Sequence, residues 1–111
     1  MEPRDLFEIL VREHVPMLRV YLRTVVRDGN QVDDLIQESL LTAWRNLDKY
    51  DRERPFGPWL RGIAAKLVLA MRSRSPNGLL LCDEATLQAL DSRCEALAAR
   101  PGDTLDERLE A

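Results

Sequence analysis

Residues 33–47 read DDLIQESLLTAWRNL. Ile36, Leu40, Ala43, Trp44 and Leu47 recur at intervals of three and four, the spacing of one face of an α-helix. Val32 extends that face toward the N-terminus, and Asp33 and Asp34 sit where the positive end of a helix dipole favours carboxylates. The stretch therefore predicts a helix of about four turns with a core-facing stripe. Its opposite face carries Asp34, Gln37, Glu38, Leu41 and Arg45. A helix that only faces water has no need of a leucine among its charges, and two acceptors, an amide, an apolar side chain and a cation suit the grip of a basic helical partner. Composition alone leaves a second reading open, in which the acids serve the helix dipole and Glu38 is simply solvated.

Toward the N-terminus, Leu6, Ile9, Leu10, Val15, Leu18, Tyr21, Leu22 and Val25 recur at threes and fours, interrupted by Pro16. The pattern predicts a helix or a kinked pair from about Pro3 to Arg27. Asp28, Gly29 and Asn30 are turn and capping types that separate it from the next helix. Toward the C-terminus, DKYDRERPFGP at 48–58 reads as a polar loop with Tyr50 and Phe56 facing solvent. A third helix starts near Pro58, a residue suited to the first helical position, and runs to about Arg74 with Trp59, Ile63, Leu67 and Met71 as its buried stripe. SPNG at 75–78 breaks the chain. LLLCDEATLQALDSRCEALAAR then predicts a fourth helix with Leu87, Leu90, Cys94 and Leu97 on one side, and Pro101–Asp103 stops it. TLDERLEA at 104–111 reads as the start of a further amphipathic helix.

The 111 residues, 45% hydrophobic and 32% charged, suit one small all-α domain with an extra segment. We divide them into a helical domain at 1–75 and an acidic segment at 76–111 that holds the fourth helix and the start of a further one. There is no run of 18 apolar residues and no basic start followed by an apolar core, so neither a membrane span nor a signal peptide is expected and the location expected is cytoplasmic. Cys82 and Cys94 lie outside any CxxC spacing and His14 is the only histidine, so no metal or other cofactor is expected. His14 itself reads as a surface or boundary residue. No Ser/His/Asp set and no glycine-rich phosphate loop is present, so the chain does not read as an enzyme.

Net charge is −3, yet residues 1–78 carry +2 and residues 79–111 carry −5. Between Arg52 and Arg74 six basic residues face only Glu53, and local potential is what attracts phosphate. Tyr50, Phe56 and Trp59 interleave there with Arg52, Arg54, Arg61, Lys66, Arg72 and Arg74. Aromatic faces for unpaired bases and cations along the backbone are what single-stranded nucleic acid requires. The competing reading is that the aromatics are packing residues, most strongly for Trp59.

The order of these pieces resembles region 2 of the extracytoplasmic-function branch of bacterial sigma-70 family factors. FEILVREHVPMLRVYLR, DDLIQESLLTAWRNLDKYD, RPFGPWLRGIA and MRSR carry the likeness, over about Asp5 to Arg74. It implies an all-helical bundle of the sigma region 2 type that binds the clamp helices of the RNA polymerase β′ subunit and captures the non-template strand of the promoter −10 element in the nucleoid. On that reading Asp34, Gln37, Glu38, Leu41 and Arg45 face the polymerase, and Tyr50, Arg52, Arg54, Phe56, Trp59, Arg61, Lys66, Arg72 and Arg74 face DNA. Anti-sigma proteins, which commonly cover these surfaces in the family, are a further implied partner. The chain departs from the family at Ala65 and Lys66, where Arg-Asn is frequent, and at Ala70, where an acid is frequent. Lys66 only donates, which suits a phosphate or an acceptor-rich base. Residues 76–111 resemble the linker and opening of a region 4 domain, and the acidity of residues 79–111 would let that segment fold back on the basic helix and compete with DNA. The alternative from a different class is a helical protein-protein module that does not touch DNA.

Overall fold

The computed structural model describes residues 2–74 and 84–98. The turn at 75–78, the first part of the fourth helix, Cys82 and the TLDERLEA segment lie outside the described residues. Helix α1 spans Pro3–Val25, α2 Gly29–Arg45, α3 Phe56–Arg74 and α4 Glu84–Ala98, with a short 3₁₀ turn at Leu47–Lys49. The fold is all-α, as the periodicities predict.

Pro3 opens α1, where its missing N–H is not needed, and Pro16 lies inside the helix without ending it. The N–H of Val26 closes α1 on the Leu22 carbonyl at 2.9 Å. Two residues later Asp28 caps α2, its carboxylate accepting the Asn30 N–H at 2.9 Å. The turn between the helices is thus built by the Asp-Gly-Asn sequence, and Arg19 of α1 ties it further to Asp33 of α2 at 2.6 Å. At the other end of α2, the Asn46 side chain donates to the Thr42 carbonyl at 2.8 Å and stops the helix.

Helix α3 packs against α1, α2 and α4. Its fully buried residues are Phe56, Leu60, Ala64 and Val68, one position away from the expected stripe; Trp59, Ile63, Leu67 and Met71 are half-buried at its flank. Both sets recur at fours and both are apolar, so periodicity cannot choose between them. Packing on three sides does, by placing the small side chains of Ala64 and Val68 at the closest approach. Helix α4 contributes Leu87 and Cys94 to the core, whereas Leu97, expected on the same side, is 82% exposed. On α2 the buried face is centred on Val32, Leu35, Ile36 and Ala43, with Leu40 and Leu47 half-buried and Trp44 45% exposed at its margin.

His14 is buried, contrary to the surface or boundary position expected of it. Its Nδ1–H donates to the Leu10 carbonyl at 2.7 Å, and its ring meets Phe56 edge-on at 5.4 Å between centroids. A polar ring with one nitrogen satisfied inside its own helix can enter a core at small cost.

Candidate functional site

Two surfaces flank this bundle. The first is the outer face of α2. Asp34, Gln37, Glu38, Leu41 and Arg45 are all exposed, and Leu41 is 53% exposed in the middle of the strip. The five are held in register because the inward face of the helix is fixed by Val32, Ile36 and Ala43 and because Ser39 bonds back to the Leu35 carbonyl at 2.6 Å, satisfying its hydroxyl inside the core. At the C-terminal margin of the strip, Trp44 rests against Phe7 with centroids 5.3 Å apart, so apolar surface continues from Leu41 toward α1. The strip has the composition of an interface: apolar centre, charged rim.

The second surface lies between α2 and α3. Here the residues nominated for nucleic acid separate into two groups. Arg52, Arg54, Lys66, Arg72 and Arg74 are exposed. Tyr50 and Phe56 are not: both are buried, which corrects the expectation of solvent-facing loop aromatics. Tyr50 packs edge-on against Phe56 at 5.6 Å and tilted against Trp59 at 4.8 Å, and its hydroxyl donates to the Arg54 carbonyl. Phe56 in turn touches Phe7, Trp59 and His14, so the loop is pinned by an aromatic cluster in which stacking and area burial act together. A loop residue has no period to betray its burial, and only the tertiary contact reveals it. Trp59 is the one aromatic of the three that remains half-exposed.

Trp59, with Ile63, Lys66 and Leu67 of α3, lines a cleft of about 390 Å³ whose other wall is Thr42, Asn46 and Lys49. Thr42, Asn46 and Lys49 stand outside the residues expected to face nucleic acid. Lys49 stands three residues before Arg52 in the same basic run, a signal that was available; Asn46 looked like a plain helix stop. An apolar floor with an amide and two ammonium groups at its edge is a receptacle for a flat, hydrogen-bonding, anionic ligand.

Arg61 is only 2% exposed and faces away from that cleft, against α4. Its Nε donates to Asp91 Oδ1 at 2.5 Å and its Nη2 to Glu95 Oε2 at 2.8 Å. Burial alone would lower the Arg61 pKa, but the hydrogen bond and charge of Asp91, then the hydrogen bond of Glu95, raise it above its ordinary value, so the guanidinium is charged. Arg61 therefore does not join the exposed cations in this structure. Among the described residues no group of three or more metal-ligating side chains stands together, and no helix is long and apolar enough to cross a membrane.

Residues 10–75 match the family model described as Sigma-70 region 2. Among curated proteins, the RNA polymerase sigma factor CarQ of Myxococcus xanthus is 37% identical over 62 residues, covering 56% of this chain and 36% of its own length. The RNA polymerase sigma factor NccH of Alcaligenes xylosoxydans xylosoxydans is 35% identical over 66 residues, with shares of 60% and 36%. The ECF RNA polymerase sigma factor SigL of Mycobacterium tuberculosis is 32% identical over 68 residues, with shares of 60% and 38%. These matches span little more than a third of each relative's length. No solved structure matches the chain.

Proposed function

Because the chain belongs to the sigma-70 region 2 family, within its extracytoplasmic-function branch, we propose that it attaches core RNA polymerase to a promoter and holds the opened −10 strand. The observation that carries this reading is the outer face of α2, where Leu41 stands exposed among Asp34, Gln37, Glu38 and Arg45. In this proposal that strip grips the β′ clamp helices, its carboxylates meeting basic side chains and Leu41 filling an apolar gap. Trp59, with the cleft beside it, receives an unpaired base of the non-template strand. Lys49, Lys66, Arg52 and Arg54 follow its phosphates, and Arg72 and Arg74 extend the track along α3. Stacking on one aromatic face is worth about 1–3 kcal/mol, so one base on Trp59 together with several phosphate contacts would retain a strand already opened by the polymerase. The site of action is the cytoplasm, at the nucleoid, with no cofactor and no catalytic step. An anti-sigma protein covering the α2 strip would silence the chain by competition. Residues 1–75 form the region 2 domain and 76–111 the linker toward region 4.

A second reading is favoured by a specific observation. The burial of Tyr50, Phe56 and Arg61 leaves the nucleic-acid surface with fewer groups than the sequence suggests, as expected of a helical interaction module that uses only the α2 strip. Fluorescence anisotropy with the isolated β′ clamp helices and, separately, with a single-stranded −10 oligonucleotide distinguishes the two. The sigma reading predicts binding to both, loss of clamp-helix binding in Asp34→Ala/Glu38→Ala, and DNA affinity that falls steeply with salt. Clamp-helix binding without any DNA affinity at low salt would remove the strand-holding half of the proposal, and binding to neither by the folded chain would end the sigma reading and leave the interaction module, with some other partner on the α2 strip.

A further inference from the structure

Helix α4 lies outside the segment that matches the family, yet it docks on α3 and α1 through an acidic face. We propose that α4 is a displaceable clasp: docked, it withdraws Arg61 from the nucleic-acid surface and lowers the potential around Lys66; released, it turns that side of α3 into an additional phosphate-binding face. This inference rests on the strand-binding reading above.

Three features of the contact support it. First, the pairing is directed at a single cation. Asp91 and Glu95, one helical turn apart, accept from Nε and Nη2 of Arg61, whose 2% exposure leaves it little to offer any other anion while α4 is in place. Second, Lys66 sits on the ridge of α3 between the two clefts. It borders the α2–α3 cleft with Trp59, and it borders a second cleft of about 490 Å³ between α3 and α4, whose far wall includes Glu84 and Asp91. Carboxylates across one cleft from a lysine reduce the local attraction for phosphate, an effect that vanishes when they leave.

Third, the clasp is weakly seated. Among the described residues of α4 only Leu87 and Cys94 are buried in the core, Leu90 is half-buried, and a cleft separates part of the helix from α3. The two carboxylates stay about one-third exposed, open to salt and to competing ligands, and burying a guanidinium offsets much of what its ion pairs contribute. Such a contact discriminates: it holds against weak, non-specific anions and yields to a strand already placed by Trp59 and Lys66.

The test uses the whole chain and a fluorescein-labelled single-stranded oligonucleotide, read by anisotropy between about 50 and about 200 mM salt. Asp91→Asn/Glu95→Gln keeps side-chain shape and removes both negative charges, so that any hydrogen bond left to Arg61 is no longer an ion pair. It should bind about tenfold more tightly than the parent, the order of one charge-assisted contact regained, with a salt slope steeper by about 0.7 for each phosphate gained. Glu2→Gln/Glu8→Gln makes the same change in net charge on α1 and its approach, and should gain far less. Adding Arg61→Gln to the α4 variant should remove most of that gain, leaving only the part that comes from Lys66. In the unaltered chain, the oligonucleotide should speed hydrogen exchange in residues 84–98, a readout independent of how the variants fold. If the parent binds DNA while the α4 variant binds no better than the α1 control, or exchange in 84–98 is unchanged or slower on binding, the clasp is refuted and the strand-binding reading stands. If no form binds at low salt, the strand-binding reading fails and takes the clasp with it.

Discussion

Gly57 and Gly62 of α3 should respond to alanine in opposite directions. A Cβ at Gly57 would stand 3.0 Å from Cδ2 of His14 and 3.2 Å from Nη1 of Arg61, while at Gly62 it would meet nothing within 4 Å. Neither neighbour of Gly57 can move freely. The His14 ring is fixed by its bond to the Leu10 carbonyl and its edge contact with Phe56, and Arg61 is held by Asp91 and Glu95. Overpacking at such a site costs about 1–3 kcal/mol. Against it stands a helix-propensity gain of about 0.5 kcal/mol, reduced because Gly57 lies in the first turn. Gly57→Ala should therefore destabilise the chain by about 1 kcal/mol. At Gly62, in the middle of the helix, only the gain applies, and alanine should stabilise by about 0.8 kcal/mol. With a urea dependence of about 1.5 kcal/mol per M, the two unfolding midpoints should differ by roughly 1.2 M at equal slope. If Gly57→Ala stabilises as much as Gly62→Ala, the close approach of α3 to His14 and the fixed position of Arg61 are both wrong.

Phe56→Ala should cost about 3–5 kcal/mol in urea unfolding, since Phe56 is fully buried; a loss under about 0.5 kcal/mol would mean that it faces solvent after all. Tyr21 is pushed up to about 12 by burial and then by the Asp91 charge, with Arg61 pulling the other way. Between pH 10 and about 12 the folded chain keeps a proton that the unfolded chain releases, so its contribution is complete below pH 10 and is lost as pH rises, by about 3 kcal/mol at most. Urea midpoints measured across that range should fall less steeply in Tyr21→Phe, and equal slopes in the two proteins would contradict the assignment. Burial, more than the opposing pull of Arg61, raises the Cys94 thiol above its ordinary pKa. In a Cys82→Ala background, Cys94 should react with a disulfide reagent at least about tenfold more slowly in the folded than in the urea-unfolded chain. Equal rates would place it at the surface.

Much of the fold is legible in the residues because helices report themselves by period and by punctuation. The Asp-Gly-Asn turn, Pro3 and the polar loop bracket α1 and α2 to within a few residues of their observed ends. The α2 strip is equally legible as a surface: once Ile36 and Ala43 face inward, the positions of Asp34, Glu38 and Leu41 follow from 100° per residue, and all three are exposed. Besides the burial of His14 and the exposure of Leu97, three features escape this reasoning. In α3 two adjacent apolar stripes compete, and three-sided packing selects the one with smaller side chains. Tyr50 and Phe56 lie at the border of a loop, where no repeat signals an inward direction, and their burial depends on rings contributed by Phe7, His14 and Trp59. Arg61 looks like any cation of a basic helix, and its withdrawal depends on carboxylates thirty and thirty-four positions away. Local sequence carries no trace of a partner that distant.

The central claim, that the outer face of α2 is where this chain meets the polymerase, is tested most directly by placing a photo-crosslinking amino acid at Leu41 and, as a control, at Val20. Both are apolar and more than half exposed, but Val20 lies on α1, away from the strip. After mixing with core RNA polymerase and irradiation, position 41 should crosslink to the β′ subunit and position 20 should not. A β′ crosslink from position 20 with none from position 41 would contradict the account.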